Sequence, residues 1–272
     1  MIEAITLDFG NTLVPVSGAG LRGVVAETAR AMAESLGPLD ADELLRVWAE
    51  ERERQFREEV PQFREVDLAQ RIARILARLR GMHPPPPDTR WDDEVAASFS
   101  EPAEVAWAVE VYSRAAVASL PPAPEASALL ARLAPRYRLA ILSNWPLAAT
   151  IDRYVEAVGW APHLAAVVVS QRVGTIKPHP AIFAAARAAL GDPAPASILH
   201  VGDDWAADVV GAKGAGWRAA YLVSRPHDSP LPGSERDDEV VADLELATLA
   251  DLEPGLAGLA ARLAALEAAD RG

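Results

Sequence analysis

The sequence predicts an α/β protein with a doubly wound parallel sheet and an α-helical block inserted after the first strand. From about residue 125 onward, apolar runs of strand length alternate with helical patterns, which is typical of β-α-β units in a parallel sheet. Between about residues 15 and 120, apolar residues instead recur at helical spacing. We therefore expect a core formed by residues 1–15 and 120–272, with a helical subdomain formed by residues 16–119.

The first strand is an apolar, β-prone run that begins at Ile2 and delivers one carboxylate, Asp8, into a turn. The turn contains the pair Gly10-Asn11 and continues through Thr12. α/β proteins bind ligands at the carboxyl ends of their parallel strands, and a tight turn there presents backbone N–H groups to an anion. Asp8 is therefore a candidate reactive group, with Asn11 and Thr12 beside the ligand. An Asp that only caps the turn is the alternative.

The inserted block begins with three helices whose ends are marked in the sequence. The first covers residues 21–36, Asp40 caps a second, and Asp67 caps a third. Four consecutive prolines, residues 84–87, predict a stiff extended spacer before helical spacing resumes. Because the block follows the first strand directly, it is placed to cover the carboxyl edge of the sheet.

The basic residues are almost all arginines. Of the 26 basic residues, only Lys177 and Lys213 are lysines, which gives each lysine added weight because a compact ammonium differs from a guanidinium. Arginines of the inserted block can meet an anionic substrate, but solvated helix faces are the expected place for Arg52, Arg54, Arg57 and Arg64.

The core elements follow in alternation. Helices are predicted at residues 125–133, 149–158 and 180–190, and strands at residues 139–142, 165–170, 198–201 and 218–223. The strand at 139–142 ends in Ser143 and Asn144, whose hydroxyl and amide can hold a phosphate oxygen, with turn chemistry as the alternative. Lys177 stands just ahead of a helix, where a point cation can neutralise a carboxylate and a phosphoryl group together.

The strongest candidate segment follows the strand at 198–201. Gly202 ends this strand, Asp203 comes next, and Asp208 lies about one helical turn further along. Mg²⁺ prefers carboxylate oxygens and usually keeps several waters, so acids that converge at strand ends predict a magnesium site. Acids that merely complement a helix N-terminus are the alternative.

Composition excludes several classes of function. A net charge of −13 over 272 residues argues against a dedicated binder of nucleic acid or anionic membranes. The absence of cysteine excludes disulfides, thiolate zinc sites and cysteine nucleophiles. Since no signal peptide or membrane-spanning stretch is recognisable, we expect a cytoplasmic protein. We further expect a monomer or homodimer that acts on a small molecule.

Four segments together resemble the motifs of the haloacid dehalogenase (HAD) superfamily, in the same order along the chain. They are residues 8–13, residues 139–144, Lys177-Pro178, and Gly202-Asp203 with Asp208. The resemblance covers residues 2 to about 249 and implies a Rossmann-like core with an α-helical cap. It also implies that Asp8 is a nucleophile that forms an aspartyl-phosphate and that Ser143 and Lys177 hold the phosphoryl group. The implied Mg²⁺ ligands are Asp8, Asp203 and the Gly10 carbonyl, with help from Asp208.

The sequence departs from the phosphatases of this superfamily at Gly10. Phosphatase members carry a second Asp there, which protonates the leaving group and then activates water. Metal-free haloacid dehalogenases also lack this Asp, but they replace the Gly-Asp of the fourth motif, which this chain keeps as Gly202-Asp203. Three crowded carboxylates need a cation, so the resemblance favours an Mg²⁺-dependent phosphatase of a small phosphorylated metabolite, slowed by its missing acid.

Two other functions stay open at this point. One is a metal-free 2-haloacid dehalogenase, and the other is a catalytically weak phosphate-binding or regulatory protein. If the chain is a phosphatase, His179, Asn11 or a residue of the cap is a candidate source of the missing proton.

Overall fold

The computed structural model describes residues 1–237 and 239–269. Its strands are β1 (Ala4–Leu7), β2 (Arg138–Ser143), β3 (Ala166–Val169), β4 (Ile198–Gly202), β5 (Arg218–Leu222) and β6 (Leu244–Leu246). They form one sheet in the order β3-β2-β1-β4-β5-β6, and every pairing is parallel. This confirms the predicted doubly wound parallel sheet. Chain connections diverge to both sides of β1, and such a switch point opens a crevice at the carboxyl edge of a sheet.

The register of the three central strands brings their carboxyl ends to one edge. Leu7 of β1 pairs with Ile141 of β2 on one side and with Val201 of β4 on the other. Every residue of β1 is buried, as expected for a strand that is paired on both edges and covered on both faces. The residues that follow these strands therefore leave the sheet close together.

Five α-helices follow β1 before the chain returns to the core. They are α1 (Gly18–Ser35), α2 (Ala41–Glu59), α3 (Leu68–Leu79), α4 (Asp93–Ala97) and α5 (Pro102–Ser119). We call residues 18–119 the helical insertion. The predicted N-caps are confirmed, because Asp40 accepts a hydrogen bond from the Glu43 N–H and Asp67 accepts one from the Gln70 N–H. That this insertion is a separate cap domain stays a prediction.

The expectation of a solvated helix face is wrong for Arg54. Arg54 does not lie on a solvated helix face but is buried, and it donates to the carbonyls of Pro85, Pro86 and Thr89. The proline-rich spacer therefore supplies acceptors for a buried guanidinium. Arg57 is exposed as expected and pairs with Glu53 on the same helix.

The remaining helices belong to the core. They are α6 (Ala126–Leu133), α7 (Ala148–Ala157), α8 (Ser170–Val173), α9 (Pro180–Ala189), α10 (Gly211–Gly214) and α11 (Leu252–Ala269), with a π-helical turn at Trp205–Val210. The sequence analysis did not predict β6 or the long connection from β5 to β6. We call residues 223–237 of that connection the β5–β6 loop.

Within the described residues, no helix is both long enough and apolar enough to cross a membrane. The cytoplasmic location stays a prediction.

Candidate active site

Three carboxylates meet at the carboxyl edge of the sheet. Asp8 follows β1, Asp203 follows β4, and Asp208 lies in the π-helical turn. All three are buried, and one oxygen of each lies within 4.8 Å of an oxygen of the other two. The structure therefore brings together the acids that the sequence analysis selected, although they come from distant parts of the chain.

Lys177 joins two of these acids. Its Nζ lies 2.9 Å from Asp8 Oδ1 and 2.5 Å from Asp208 Oδ1, and it also donates to the Leu142 carbonyl at 3.0 Å. Burial alone would lower the pKa of Lys177, but the charges of Asp208 and Asp8 outweigh it, so the pKa is raised. Lys177 therefore remains an ammonium at neutral pH.

Asn144 positions this lysine through its backbone. The Asn144 Oδ1 accepts from the Lys177 N–H at 2.7 Å, and the Asn144 Nδ2 donates to the Lys177 carbonyl at 3.1 Å. The side chain is therefore engaged in holding the segment that carries Lys177. The expected contact of the Asn144 side chain with substrate stays a prediction.

Asp208 is held in place by several donors. Its Oδ1 accepts from Lys177 and lies 3.0 Å from His200 Nε2, while its Oδ2 accepts from the Asp204 N–H. Burial would raise the pKa of Asp208, but Lys177 and His200 outweigh it and the pKa is lowered. Gly202 leaves room for this carboxyl group, because a Cβ at Gly202 would lie 2.2 Å from Asp208 Cγ.

The turn after β1 is built by backbone bonds and by Asn11. Phe9 accepts from the N–H groups of Leu13 and Val14, and Asn11 adopts a left-handed φ of 57°, which Asn tolerates better than most residues. The Asn11 Nδ2 donates to Asp203 Oδ2 at 3.2 Å. Asn11 therefore orients Asp203, and its expected contact with substrate stays a prediction.

Two predicted hydroxyl groups are buried beside this turn. The hydroxyl oxygens of Ser143 and Thr12 are buried, and neither has a hydrogen-bond partner among the described residues. Ser143 lies close enough to Asp8 to oppose the rise in the pKa of that carboxyl group. Thr12 is not among the described residues that line the cavity above Asp8.

The charge balance of the cluster fits a divalent cation. Burial raises the pKa of Asp8, with Asp208 adding to the effect and Lys177 opposing it. Burial and the charges of Asp8 and Asp208 raise the pKa of Asp203 to about 8, although Arg225 Nη1 lies 3.4 Å from its Oδ2. Negative charge therefore exceeds the positive charge that these side chains supply, and hard oxygen donors of this kind suit Mg²⁺.

A cavity of about 370 Å³ lies above the acids. Asp8, Gly10 and Lys177 line one side of it, and the helical insertion lines another with Arg52 and Arg71. This volume lies within the range of sites that bind small molecules. Arg52 was expected on a solvated face, and its place in the cavity corrects that expectation.

The β5–β6 loop closes part of this cavity. A Cβ at Gly10 would lie only 2.6 Å from Leu231 Cδ1 of the loop and 3.4 Å from the Trp145 ring. Leu231 therefore already occupies the space that a side chain at position 10 would need. The loop is tied to the helical insertion as well, since Arg52 donates to the Pro230 carbonyl at 3.1 Å.

Sequence reasoning missed four residues at or beside the site. His200 was missed, although a histidine in an otherwise apolar strand is a signal for a buried polar role. Glu65 and Arg71 come from the insertion and line the cavity, and Arg225 comes from the β5–β6 loop. These three carry no local motif, because only the tertiary fold brings them to the strand ends.

The fold and the acid-lysine cluster at its switch point define a Rossmann-like α/β enzyme. More specifically, the chain belongs to the haloacid dehalogenase-like hydrolase family, whose profile matches residues 2–216.

Comparison with known proteins gives both phosphatases and dehalogenases. A phosphoserine phosphatase from Thermus thermophilus is 40% identical over 108 residues, which is 39% of this chain and 43% of that protein. The match thus spans less than half the length of that relative.

Solved structures superpose over almost the whole chain. A 2-haloacid dehalogenase from Pseudomonas syringae pv. Tomato DC3000 is 22% identical with a TM-score of 0.63, covering 94% of this chain and 99% of that one. A HAD phosphatase from Thermococcus onnurineus is 20% identical with a TM-score of 0.56, covering 94% and 98%. At these identities the similarity establishes the fold and does not choose between the two activities.

Proposed function

We propose that the protein is an Mg²⁺-dependent phosphatase that acts on a small phosphorylated metabolite through an aspartyl-phosphate. The observation that carries this proposal is the excess of negative charge where Asp8, Asp203 and Asp208 meet. Lys177 and Arg225 are the only lysine and arginine of the described chain that pair with these three carboxylates. A site for a neutral carbon bearing halide has no need of such a cluster. The partial match to a phosphoserine phosphatase supports the same choice.

In this proposal Asp8 attacks phosphorus through a carboxylate oxygen, and the bond from phosphorus to the leaving oxygen breaks. Lys177 holds Asp8 in position and neutralises charge on the transferred group, as preorganised cations do. Water then cleaves the acyl-phosphate, releasing phosphate and restoring Asp8. Asp8, Asp203 and the Gly10 carbonyl would hold Mg²⁺, which supplies positive charge to the phosphoryl oxygens when bound.

We propose that the helical insertion is the cap of this enzyme, with a core of residues 1–15 and 120–272 and a cap of residues 16–119. Its side chains line the cavity above Asp8, which supports a role in selecting the substrate and excluding water.

We assign the leaving-group proton to Glu65 of the cap. Gly10 has no side chain to supply this proton, and the Asn11 amide is not an acid. His179 is not among the described residues that line the cavity, and its Nδ1 accepts from the Ala181 N–H. Glu65 lines the cavity, and desolvation raises the pKa of its carboxyl group. A carboxyl group with a raised pKa keeps its proton closer to neutral pH, as a general acid must.

The position of Glu65 is fixed by a serine of the core and by the backbone of the next residue. Ser170 Oγ donates to Glu65 Oε2, and the same hydroxyl accepts from the Trp145 N–H at 2.9 Å. The Val66 N–H donates to Glu65 Oε1 at 2.8 Å. Glu65 is thus connected through one serine to the segment directly after Ser143 and Asn144.

A metal-free dehalogenase is the second candidate, and Gly10 is the observation that favours it. Displacement of halide from carbon needs no proton for the leaving group, so a site without an acid at residue 10 suffices. Asp203 opposes this candidate, because without a metal ion its carboxylate and that of Asp8 repel each other.

Phosphate and chloride release separate these candidates. We expect p-nitrophenyl phosphate and acetyl phosphate to be hydrolysed only with Mg²⁺, and Asp8→Asn to abolish turnover. Chloride release from 2-chloropropionate without metal would instead establish the dehalogenase. Failure to turn over either substrate, with measurable binding of Mg²⁺ and phosphate, would leave a regulatory phosphate-binding protein.

A further inference from the structure

Arg71 is a buried arginine whose charge the protein leaves without an anionic partner. The residue is 5% exposed, and its Nε donates to Gln55 Oε1 at 2.8 Å. Across residues 1–237 and 239–269, no other hydrogen bond and no carboxylate within ion-pair distance reaches its guanidinium. Its terminal nitrogens are therefore available to a ligand in the cavity that Arg71 lines.

The two other buried arginines of the described chain have carboxylate or carbonyl partners, whereas Arg71 donates only to a neutral amide. Arg54 donates to three backbone carbonyls of the proline-rich spacer. Arg74 pairs with Glu58 at 2.9 Å and with Asp93 at 2.7 Å. Buried guanidinium groups elsewhere in the same insertion thus have charged or carbonyl partners, although Arg74 Nη2 makes no hydrogen bond to a described residue.

Burial and a second arginine, Arg52, both disfavour the charged form of Arg71. Burial lowers the pKa of Arg71 to about 10. Tyr112 opposes this shift, Arg52 adds to it, and Glu65 and Asp67 oppose it with smaller effects. Arg52 lines the same cavity, and its Nη2 donates to a backbone carbonyl rather than to a carboxylate. A buried charge without a partner destabilises a protein, so its presence in a ligand cavity points to a bound anion.

The orientation of Arg71 is also fixed before any ligand arrives. Gln55 accepts from Arg71 Nε through its Oε1 and donates to the Asp67 carbonyl through its Nε2 at 2.9 Å. Gln55 is buried and therefore has little freedom to turn. Such preorganisation favours binding of a planar anion by the two terminal nitrogens of the guanidinium.

We propose that Arg71, with Arg52 beside it, binds a carboxylate of the substrate, so that the substrate is a phosphorylated small carboxylic acid. This inference rests on the proposed function, which places the phosphoryl group at Asp8 on the core side of the cavity. A guanidinium matches a carboxylate in a bidentate arrangement, and a cavity of about 370 Å³ suits a molecule of this size.

Two phosphate esters that differ only by a carboxylate test the proposal. We expect the wild-type protein with Mg²⁺ to prefer O-phosphoserine over O-phosphoethanolamine in kcat/KM by about 10- to 100-fold. Arg71→Met is expected to remove this preference, because KM should rise more for O-phosphoserine than for O-phosphoethanolamine. Arg71→Lys keeps the positive charge but loses the bidentate geometry of the guanidinium. We therefore expect it to retain part of the preference for O-phosphoserine.

Arg57→Met is the matched control, because Arg57 is an exposed arginine of α2 outside the described cavity lining. It is expected to keep the wild-type preference. A wild-type protein without preference, or an Arg71→Met variant that loses activity equally on both esters, would overturn the carboxylate site.

Thermal shift measurements distinguish this inference from the proposed phosphatase activity. In the Asp8→Asn background, we expect O-phosphoserine to raise the melting temperature more than O-phosphoethanolamine does, and Arg71→Met to remove the difference. If neither ester is hydrolysed and this difference persists, the carboxylate site stands and the phosphatase proposal fails. If hydrolysis occurs and no difference is found in binding or in kcat/KM, the carboxylate site fails alone.

Discussion

Lys177 Nζ lies 2.5 Å from Asp208 Oδ1, and this contact anchors the ammonium that also donates to Asp8. Asp208 is anchored in turn, since His200 Nε2 lies 3.0 Å from the same oxygen and His200 Nδ1 lies 2.8 Å from Thr6 Oγ1. A carboxylate only accepts hydrogen bonds, so His200 carries a proton on Nε2. A chain of polar contacts therefore runs from the ammonium back into β1.

The two lysines of the chain provide a matched pair for testing the site. Lys177→Met is expected to lower kcat for p-nitrophenyl phosphate by about 10²- to 10³-fold, because a preorganised cation is lost from the reacting group. Lys213 pairs with Asp243 at 2.9 Å and is partly exposed, so Lys213→Met is expected to leave kcat unchanged. Steady-state kinetics check both variants, and circular dichroism confirms that they are folded. Similar rates for Lys177→Met and wild type would contradict the assignment.

Stability without metal is expected to depend on pH through Asp203. Its pKa is raised from 3.8 to about 8 by burial and by the neighbouring acids. The stability linked to this proton is fully present below pH 3.8 and is lost as the pH rises through about 8, because the unfolded chain releases the proton first. In EDTA, the melting temperature of wild type should therefore fall across this range, and Asp203→Asn should fall less.

Mg²⁺ is expected to reverse this loss near pH 8 in wild type and not in Asp203→Asn. Asp88 is exposed, so Asp88→Asn is the control, and the pH profile of its melting temperature should follow that of wild type. Differential scanning fluorimetry measures all three proteins. Parallel profiles for wild type and Asp203→Asn would show that Asp203 is not a source of the excess negative charge.

Glu65→Gln is expected to separate substrates by their leaving groups. An alkoxide needs a proton as it departs, so hydrolysis of O-phosphoserine should fall by about 10²- to 10⁴-fold. p-Nitrophenolate leaves without a proton, so hydrolysis of p-nitrophenyl phosphate should change little. The high-pH limb of the kcat/KM profile for O-phosphoserine should also disappear. An equal loss on both substrates would assign Glu65 a structural role.

Gly10→Asp is expected to raise the rate with alkyl phosphates only to the extent that Leu231 moves aside. Leu231 Cδ1 occupies the place of the new Cβ, so the gain should be larger in Gly10→Asp with Leu231→Ala than in Gly10→Asp alone. Leu231→Ala by itself adds no acid and is expected to leave the rate near that of wild type. Rates of the four proteins form a double-mutant cycle, and additive effects would contradict contact between the two positions.

The sequence alone predicted the sheet and the acids at its edge because both depend on local pattern. Apolar runs of strand length end directly before Asp8, Ser143 and Asp203, and the rarity of lysine drew attention to Lys177. The superfamily resemblance rests on these same strand ends. Their convergence follows from parallel pairing, which places every carboxyl end at one edge.

The cavity wall above the acids could not be predicted in the same way. Arg71 lies on a helix with two other arginines, and nothing in its spacing distinguishes it from Arg74, which is paired. Glu65 lies in a connection between helices, and Leu231 lies in a long loop without a regular pattern. Their roles depend on packing between segments that are remote in the chain. The short strand β6 was missed because three residues give too little periodicity to recognise.

The contact between Gly10 and Leu231 also bears on how this lineage can change. One nucleotide substitution can turn a glycine codon into an aspartate codon. Here, however, the Cβ of an aspartate at position 10 would collide with Leu231 Cδ1. Selection can therefore favour aspartate at position 10 only once Leu231 has moved or has been replaced. Among homologues, we expect aspartate at position 10 to occur together with a small residue where this chain has Leu231.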